Sequence, residues 1–194
     1  MTDFQNRVQS LAEANGITSP LVFGEGLTCS PRLMLIGEAP GGQEEAQGRP
    51  FVGKAGKNLD RFLEVLGIHR ESIYITNAVK FRPIRVSPKG TVSNRTPTRT
   101  ECALFLPLLR EEIQLIVPRM IVTLGNTPLS QLLPDRKTIG DVHGTPIQIY
   151  DPIQTVLFPL YHPAAIIYNR SLSETYEADL LRLRDYLKKN IPDN

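Results

Sequence analysis

The sequence predicts an α/β fold, a three-layer α/β/α sandwich around a central, mostly parallel four-stranded sheet. Four short apolar runs, at 33–36, 72–76, 120–125 and 155–161, have the length and the β-branched or aromatic content of buried strands. The segments between and around them carry apolar residues at helical spacing. Strands that alternate with helices pair in parallel and are covered on both faces. With 194 residues, 41% of them hydrophobic, the chain has enough apolar side chains for one domain spanning 1–194.

The elements follow in order. Phe4, Val8, Leu11 and Ala12 share one face of a first helix, and Gly16 stands just past its end. Residues 16–31 read as an irregular connection into the first strand. Ala55, Leu59, Phe62, Leu63 and Leu66 form a second helical stripe, stopped by Gly67. Thr98-Arg99-Thr100-Glu101 is a capping-box pattern opening a helix to about residue 116. A short helix is expected over 126–133 and a small hairpin or edge strand over 138–150. The last helix carries Tyr176, Leu180, Leu183 and Leu187 on one face.

The chain is organised around the loop between the first strand and the second helix. Between Ile36 and Lys54 it holds five glycines, two prolines and three glutamates, Glu38, Glu44 and Glu45, with Phe51 following Pro50. Its glycines allow close approach of backbone to a ligand. Its position at the carboxyl end of a strand is where open α/β sheets bind ligands. Gly48 to Ala55 has the spacing of a phosphate-binding P-loop. That reading fails because Ala55 offers no hydroxyl for magnesium and Pro50 removes an amide.

Charge and cysteine usage narrow the function classes. A formal charge of +2 does not by itself indicate nucleic acid, so the placement of charge matters. Residues 80–99 carry Lys80, Arg82, Arg85, Lys89, Arg95 and Arg99 without an acid, on a segment broken by Pro83, Pro88, Gly90 and Pro97. Such an arm suits a phosphate backbone, the plainer alternative being a solvated loop. Cys29 and Cys102 lie far apart, and with three histidines they make a poor metal set. No secretory leader and no membrane-spanning run is visible, so a cytoplasmic protein without membrane contact is expected.

Glu38, Asn77 and His162 each fall just past the carboxyl end of an expected strand. Alone, Glu38 reads as a surface charge, Asn77 as a turn cap and His162 as a local hydrogen-bonding group. Converging beside Phe51 and the basic segment, they point to a planar polar ring attached to a nucleic acid.

The motifs that carry these residues are Gly37-Glu38-Ala39-Pro40-Gly41, the stretch from Gly48 to Gly56, Thr76-Asn77-Ala78-Val79-Lys80-Phe81-Arg82-Pro83 and His162-Pro163-Ala164. In that order they resemble the motifs of family 4 uracil-DNA glycosylases, and the likeness runs over roughly residues 20–170. The resemblance implies hydrolysis of the uracil–deoxyribose bond in single- or double-stranded DNA; for this chain a monomer without metal or organic cofactor is expected. It implies Glu38 as the group handling water, Gly37 among the residues that bind the uracil, Asn77 reading N3–H and O4, Phe51 stacking on the base, and His162 donating to O2. Glu44 matches a glutamate that either walls off the uracil C5 position or assists the water. Lys80, Arg82, Arg85, Lys89 and Arg95 are expected on DNA, and Ile166 or Ile167 either wedges into the space left by the base or joins the core.

Departures from the family are equally informative. Its typical members hold a four-iron cluster on four cysteines, whereas this chain has Phe81 at one of those positions, Cys102 at another, and Cys29 elsewhere. No cluster is therefore expected, with packing around Phe81 in its place. Residues 84–93 lengthen the basic loop and include no histidine. Ala39 falls where family 1 enzymes carry an aspartate, which leaves the water to Glu38, Glu44 or backbone groups. With no lysine expected in the pocket, the reaction stops at the abasic site. Two alternatives stay open: a DNA-binding module without catalysis, and a glycosylase for other deaminated bases.

Overall fold

The computed structural model describes residues 1–192 except Pro134 and Arg136, and the side chains of all of these but Ile167, Tyr168 and Arg170. Its centre is a six-stranded sheet of β1 (Glu25–Gly26), β2 (Met34–Gly37), β3 (Tyr74–Asn77), β6 (Met120–Leu124), β7 (Ile147–Ile149) and β8 (Thr155–Leu160), in the order β1-β3-β2-β6-β8-β7. The four inner strands are parallel and coincide with the four apolar runs; β1 and β7 are antiparallel additions at the two edges. The sequence expectation of four strands thus falls short by two edge strands. β1 is two residues long and sits in a Gly-rich segment, too short to show alternation.

Side chains alternate across the inner strands, and both faces are buried. Leu33, Leu35, Ile73, Ile75 and Val122 meet Leu59, Phe62 and Leu63 of α3 (Lys54–Leu66) and Leu180, Leu183 and Leu187 of α8 (Ser173–Asn190). Met34, Ile36, Tyr74 and Ile121 meet Leu109, Ile113 and Ile116 of α4 (Arg99–Ile116) and Leu129 and Leu132 of α5 (Asn126–Leu132) on the other face. The Thr98 capping box forms as the sequence predicts: Thr98 Oγ1 accepts from Glu101 N, and Glu101 accepts from Thr98 N at 2.7 Å. α1 (Thr2–Ala14) buries Phe4 and Val8 against Val79, Phe81, Phe105 and Leu108, with Cys102 at the margin of that cluster.

Four features of the loops between the core elements depart from the sequence expectation. The organising loop contains a short helix, α2 (Gly42–Gln47). The basic segment contains a β-hairpin, β4 (Ile84–Val86) with β5 (Val92–Asn94), where an irregular loop was expected. The region 138–150 forms α6 (Ile139–Val142) before the edge strand β7, and α7 (Pro163–Tyr168) follows β8 directly. No helix among the described residues is long and apolar enough to cross a membrane.

Candidate active site

The register of the central strands assembles the site. Gly37 at the end of β2 pairs with Asn77 at the end of β3, which sets Glu38 beside Asn77. The pairing continues past the strands, with Ala78 N donating to Gly37 O and Val79 N donating to Glu38 O. Gly37 is required there. A Cβ at that position would lie 2.4 Å from Asn77 Oδ1 and 2.5 Å from Phe51 Cζ, inside both side chains. A cleft of about 1110 Å³ opens at this edge, lined by Glu38, Glu44, Phe51, Asn77, Tyr161 and His162 among others. That volume exceeds what one pyrimidine fills and leaves room for its sugar and phosphates.

Asn77 is 3% exposed, and its carboxamide makes no hydrogen bond to another side chain among the described residues. A buried amide that faces a cleft in this state offers one donor and one acceptor to a ligand. In the same cleft, the Phe51 and His162 rings are stacked, with centroids 6.0 Å apart and planes 28° from parallel.

Phe51 holds an unusual backbone. Its φ is +52°, a left-handed conformation that a bulky residue adopts only under constraint. Arg70 supplies one constraint, donating to Pro50 O at 2.6 Å and to Phe51 O at 3.3 Å while its guanidinium also meets Glu25. Glu44 supplies another. One of its oxygens accepts from Val52 N at 3.0 Å and Gly53 N at 2.7 Å, and the other accepts from Gly41 N at 3.1 Å. The carboxylate therefore ties the two ends of the loop together. It braces Phe51, and three backbone N–H groups already occupy its oxygens.

Glu38 is held differently. Thr127, in the first turn of α5, donates to Glu38 Oε2 at 2.5 Å. This partner escaped the sequence reading, although Thr127 follows the third apolar run just as Glu38, Asn77 and His162 follow theirs. Its position past a carboxyl strand end was the available signal.

His162 caps α7. Its Nδ1 accepts from Ala164 N at 3.1 Å, so in the neutral ring the proton resides on Nε2. Burial lowers the imidazole pKa to about 4 against the opposing pull of the Glu44 charge. The ring is neutral at pH 7 and carries an N–H donor.

The expected DNA-binding residues separate into groups. Lys80 is corrected: it is fully buried, and its ammonium donates to Glu112 Oε2 at 2.6 Å, Thr76 Oγ1 at 2.6 Å and Asn77 O at 2.7 Å. It faces inward because Glu112, whose charge is also buried, needs a cation. Arg82 bridges Glu45 and Asn94, and Arg95 pairs through both terminal nitrogens with Glu101, whose carboxyl is held down to about 2 by that contact. Arg85 bonds Ser93 Oγ, and neither Arg85 nor Lys89 has an acidic partner among the described residues. Ile166 is half-buried against the α3–α8 core, while the Ile167 side chain lies outside the described residues. A further correction concerns lysine in the pocket: Lys54, exposed in the first turn of α3, lines the cleft.

The residues do not fit a four-iron cluster. Such a group takes four thiolates, and the chain has two cysteines, Cys29 exposed and Cys102 half-buried. Burial and the nearby Glu38 and Glu101 charges raise the Cys102 pKa, favouring the thiol over the thiolate that a cluster needs. No group of three or more His, Cys, Asp or Glu side chains with metal-binding placement occurs among the described residues.

Comparison with known proteins identifies the family of the chain. Residues 23–188 match the sequence model of the Uracil DNA glycosylase superfamily. The chain is 38% identical over 170 residues to the type-4 uracil-DNA glycosylase of Sulfurisphaera tokodaii, covering 84% of this chain and 73% of that one. It is 39% identical to the type-4 enzyme of Saccharolobus solfataricus, over 86% and 76% of the two chains, and 38% identical to that of Thermotoga maritima, over 87% and 84%. Among solved structures, wild-type Pedobacter heparinus SMUG2 shares the fold, with a TM-score of 0.57 at 14% identity over 82% of this chain and 75% of that one. By family model and by relatives matched over most of their length, this chain belongs to the uracil-DNA glycosylase superfamily, among its type-4 members.

Proposed function

We propose that this chain hydrolyses the N-glycosidic bond of uracil in DNA, leaving an abasic site, and that it acts as a monomer in the cytoplasm without a metal or iron–sulfur cofactor. The single observation that carries the reading is the Gly37–Asn77 pairing, which sets a carboxylate, a base-reading amide and a stacked Phe51–His162 pair around one cleft. Two free cysteines suit a reducing compartment.

The uracil nucleotide is turned out of the stack into the cleft. Asn77 accepts from N3–H and donates to O4; cytosine presents the reversed pattern and leaves both groups of the amide unpaired. Phe51 packs on the ring face, where base stacking contributes about 1–3 kcal/mol. As the C1′–N1 bond breaks, its electron pair moves onto the uracil ring and the sugar becomes oxocarbenium-like. His162 Nε2–H donates to O2, where the negative charge collects, and burial keeps this donor neutral. Glu38, held by Thr127, orients water toward C1′, accepts its proton as the C1′–O bond forms, and offsets the positive sugar. Glu44 acts indirectly by bracing the loop under Phe51. Arg85 and Lys89 meet phosphates, with Arg82 and Arg95 holding their hairpin in place. Lys54 is exposed at the rim, and cleavage of the strand is not part of this chemistry.

The test is alkaline cleavage of labelled oligonucleotides carrying uracil, hypoxanthine, xanthine or cytosine at one position. Uracil is expected to be removed fastest and cytosine left intact. Faster removal of a purine would replace this substrate assignment.

A further inference from the structure

The β4–β5 hairpin is amphipathic in a way that its charges alone do not explain. Ile84 lies opposite Asn94, Arg85 opposite Ser93, and Val86 opposite Val92. Because side chains alternate along a strand, Ile84, Val86, Val92 and Asn94 share one face, and Arg85 and Ser93 share the other. Ile84, Val86 and Val92 are 39%, 61% and 49% exposed. Singly exposed hydrophobic residues are ordinary, but three in one cross-strand stripe form a surface. Val65, Tyr150 and Leu181, comparable in exposure, sit on separate elements.

The stripe starts at the cleft. Asn94, Arg95 and Thr96 line the cleft, and Asn94 lies on the apolar face. The base of the hairpin is fixed: Arg82 joins Asn94 to Glu45 of α2, and Arg95 joins Ile84 O to Glu101 of α4. Its outer half has no such anchor to α2 or α4 among the described residues, and its valine pair is exposed. From the Ile84–Asn94 pair to the Val86–Val92 pair is two strand residues, about 7 Å. Successive phosphates on one stacked DNA strand advance about 3.4 Å, so that distance spans about two nucleotides.

We propose that this apolar stripe receives the faces of unpaired bases next to the extruded uracil, while Lys89, in the turn between β4 and β5, meets a phosphate of the same strand. The occupant is a DNA strand rather than a protein because the stripe is continuous with the nucleotide cleft and the hairpin's own basic side chains, Arg85 and Lys89, have no acidic partner among the described residues. β-Branched side chains need an open base face, which a single strand presents and an intact duplex hides. Apolar side chains that enter base steps elsewhere work by the same contact. The inference rests on the uracil-DNA reading given above.

The test compares kcat/KM for the parent and a V86T/V92T variant on a single-stranded 15-mer with a central deoxyuridine and on a trinucleotide with the same centre. Threonine keeps the β-branched shape and makes the stripe polar. The ratio of kcat/KM on the 15-mer to that on the trinucleotide is expected to fall at least fivefold in the variant and to stay at the parental value in V65T, which alters an exposed valine of α3. A ratio within twofold of the parent in V86T/V92T overturns the proposal, as does an equal fall in V65T. If the parent releases no uracil from either substrate, the functional reading fails separately, and fluorescence anisotropy on a uracil-free 15-mer decides the hairpin. Weaker binding by V86T/V92T than by the parent and V65T supports the stripe; equal binding by all three refutes it.

Discussion

Lys80 donates a hydrogen bond to the carbonyl oxygen of Asn77 at 2.7 Å, from an ammonium that is wholly buried and paired with Glu112. The residue proposed to read the base therefore rests on an ion pair inside the protein. Tyr74 and Thr76 complete the network by donating to Glu112, and burial next to that carboxylate pushes the Tyr74 hydroxyl pKa up.

K80M leaves Glu112 charged and unpaired. It is expected to destabilise the fold by about 3–5 kcal/mol, read from denaturant unfolding. Adding E112M to K80M should recover part of that loss, because both charges are then gone. A K80M protein as stable as the parent would mean the pair does not support the Asn77 strand.

The Thr127 hydroxyl fixes one oxygen of Glu38. T127V removes the donor and keeps the shape, so kcat for uracil release is expected to fall about tenfold, the scale of one hydrogen bond to a charged group. KM should move less than kcat, because the base is read elsewhere, and T127S should restore most of the rate. Steady-state kinetics on one oligonucleotide distinguishes this from a loss confined to KM.

His162 carries a pH prediction with a defined sign. Its folded pKa, about 4, lies below the ordinary value of 6.5, so between those values the unfolded chain binds more protons than the folded one. The histidine's contribution to stability is therefore complete above pH 6.5 and is lost as pH falls toward 4. Imidazole nitrogen shifts are expected to report the Nε2–H neutral form at pH 6 and protonation only near pH 4. Titration near 6.5 would contradict the buried neutral donor.

Lys54 lines the cleft but is exposed at its rim. Borohydride added during turnover is expected to trap no protein–DNA adduct, and K54M should release uracil at a rate close to the parent's. An adduct lost in K54M would show a covalent lysine step.

The parallel core was legible because its strands are buried on both faces and read as unbroken apolar runs, such as Met120 to Leu124. β1 and the β4–β5 hairpin escaped because strands of two or three residues, half in water, give no period to detect. Glu38, Asn77 and His162 could be placed together from topology, since each follows a parallel strand. The inward turn of Lys80 could not. It opens a segment rich in basic residues, and Glu112, the partner that draws it inside, is 32 residues away on α4. The same distance problem hid Thr127, which meets Glu38 across 89 residues.

The most direct measurement is single-turnover release of uracil from a single-stranded oligonucleotide in EDTA by the parent, E38Q and N77A, with folding of each checked by circular dichroism. The parent is expected to release uracil, and E38Q to slow release by about 10²–10⁴-fold, the range of a lost general base. N77A should lose both rate and the preference for uracil over cytosine. A folded E38Q that works at the parental rate, or a folded parent that binds the oligonucleotide and releases nothing, would contradict the assignment of this cleft as the site of uracil excision.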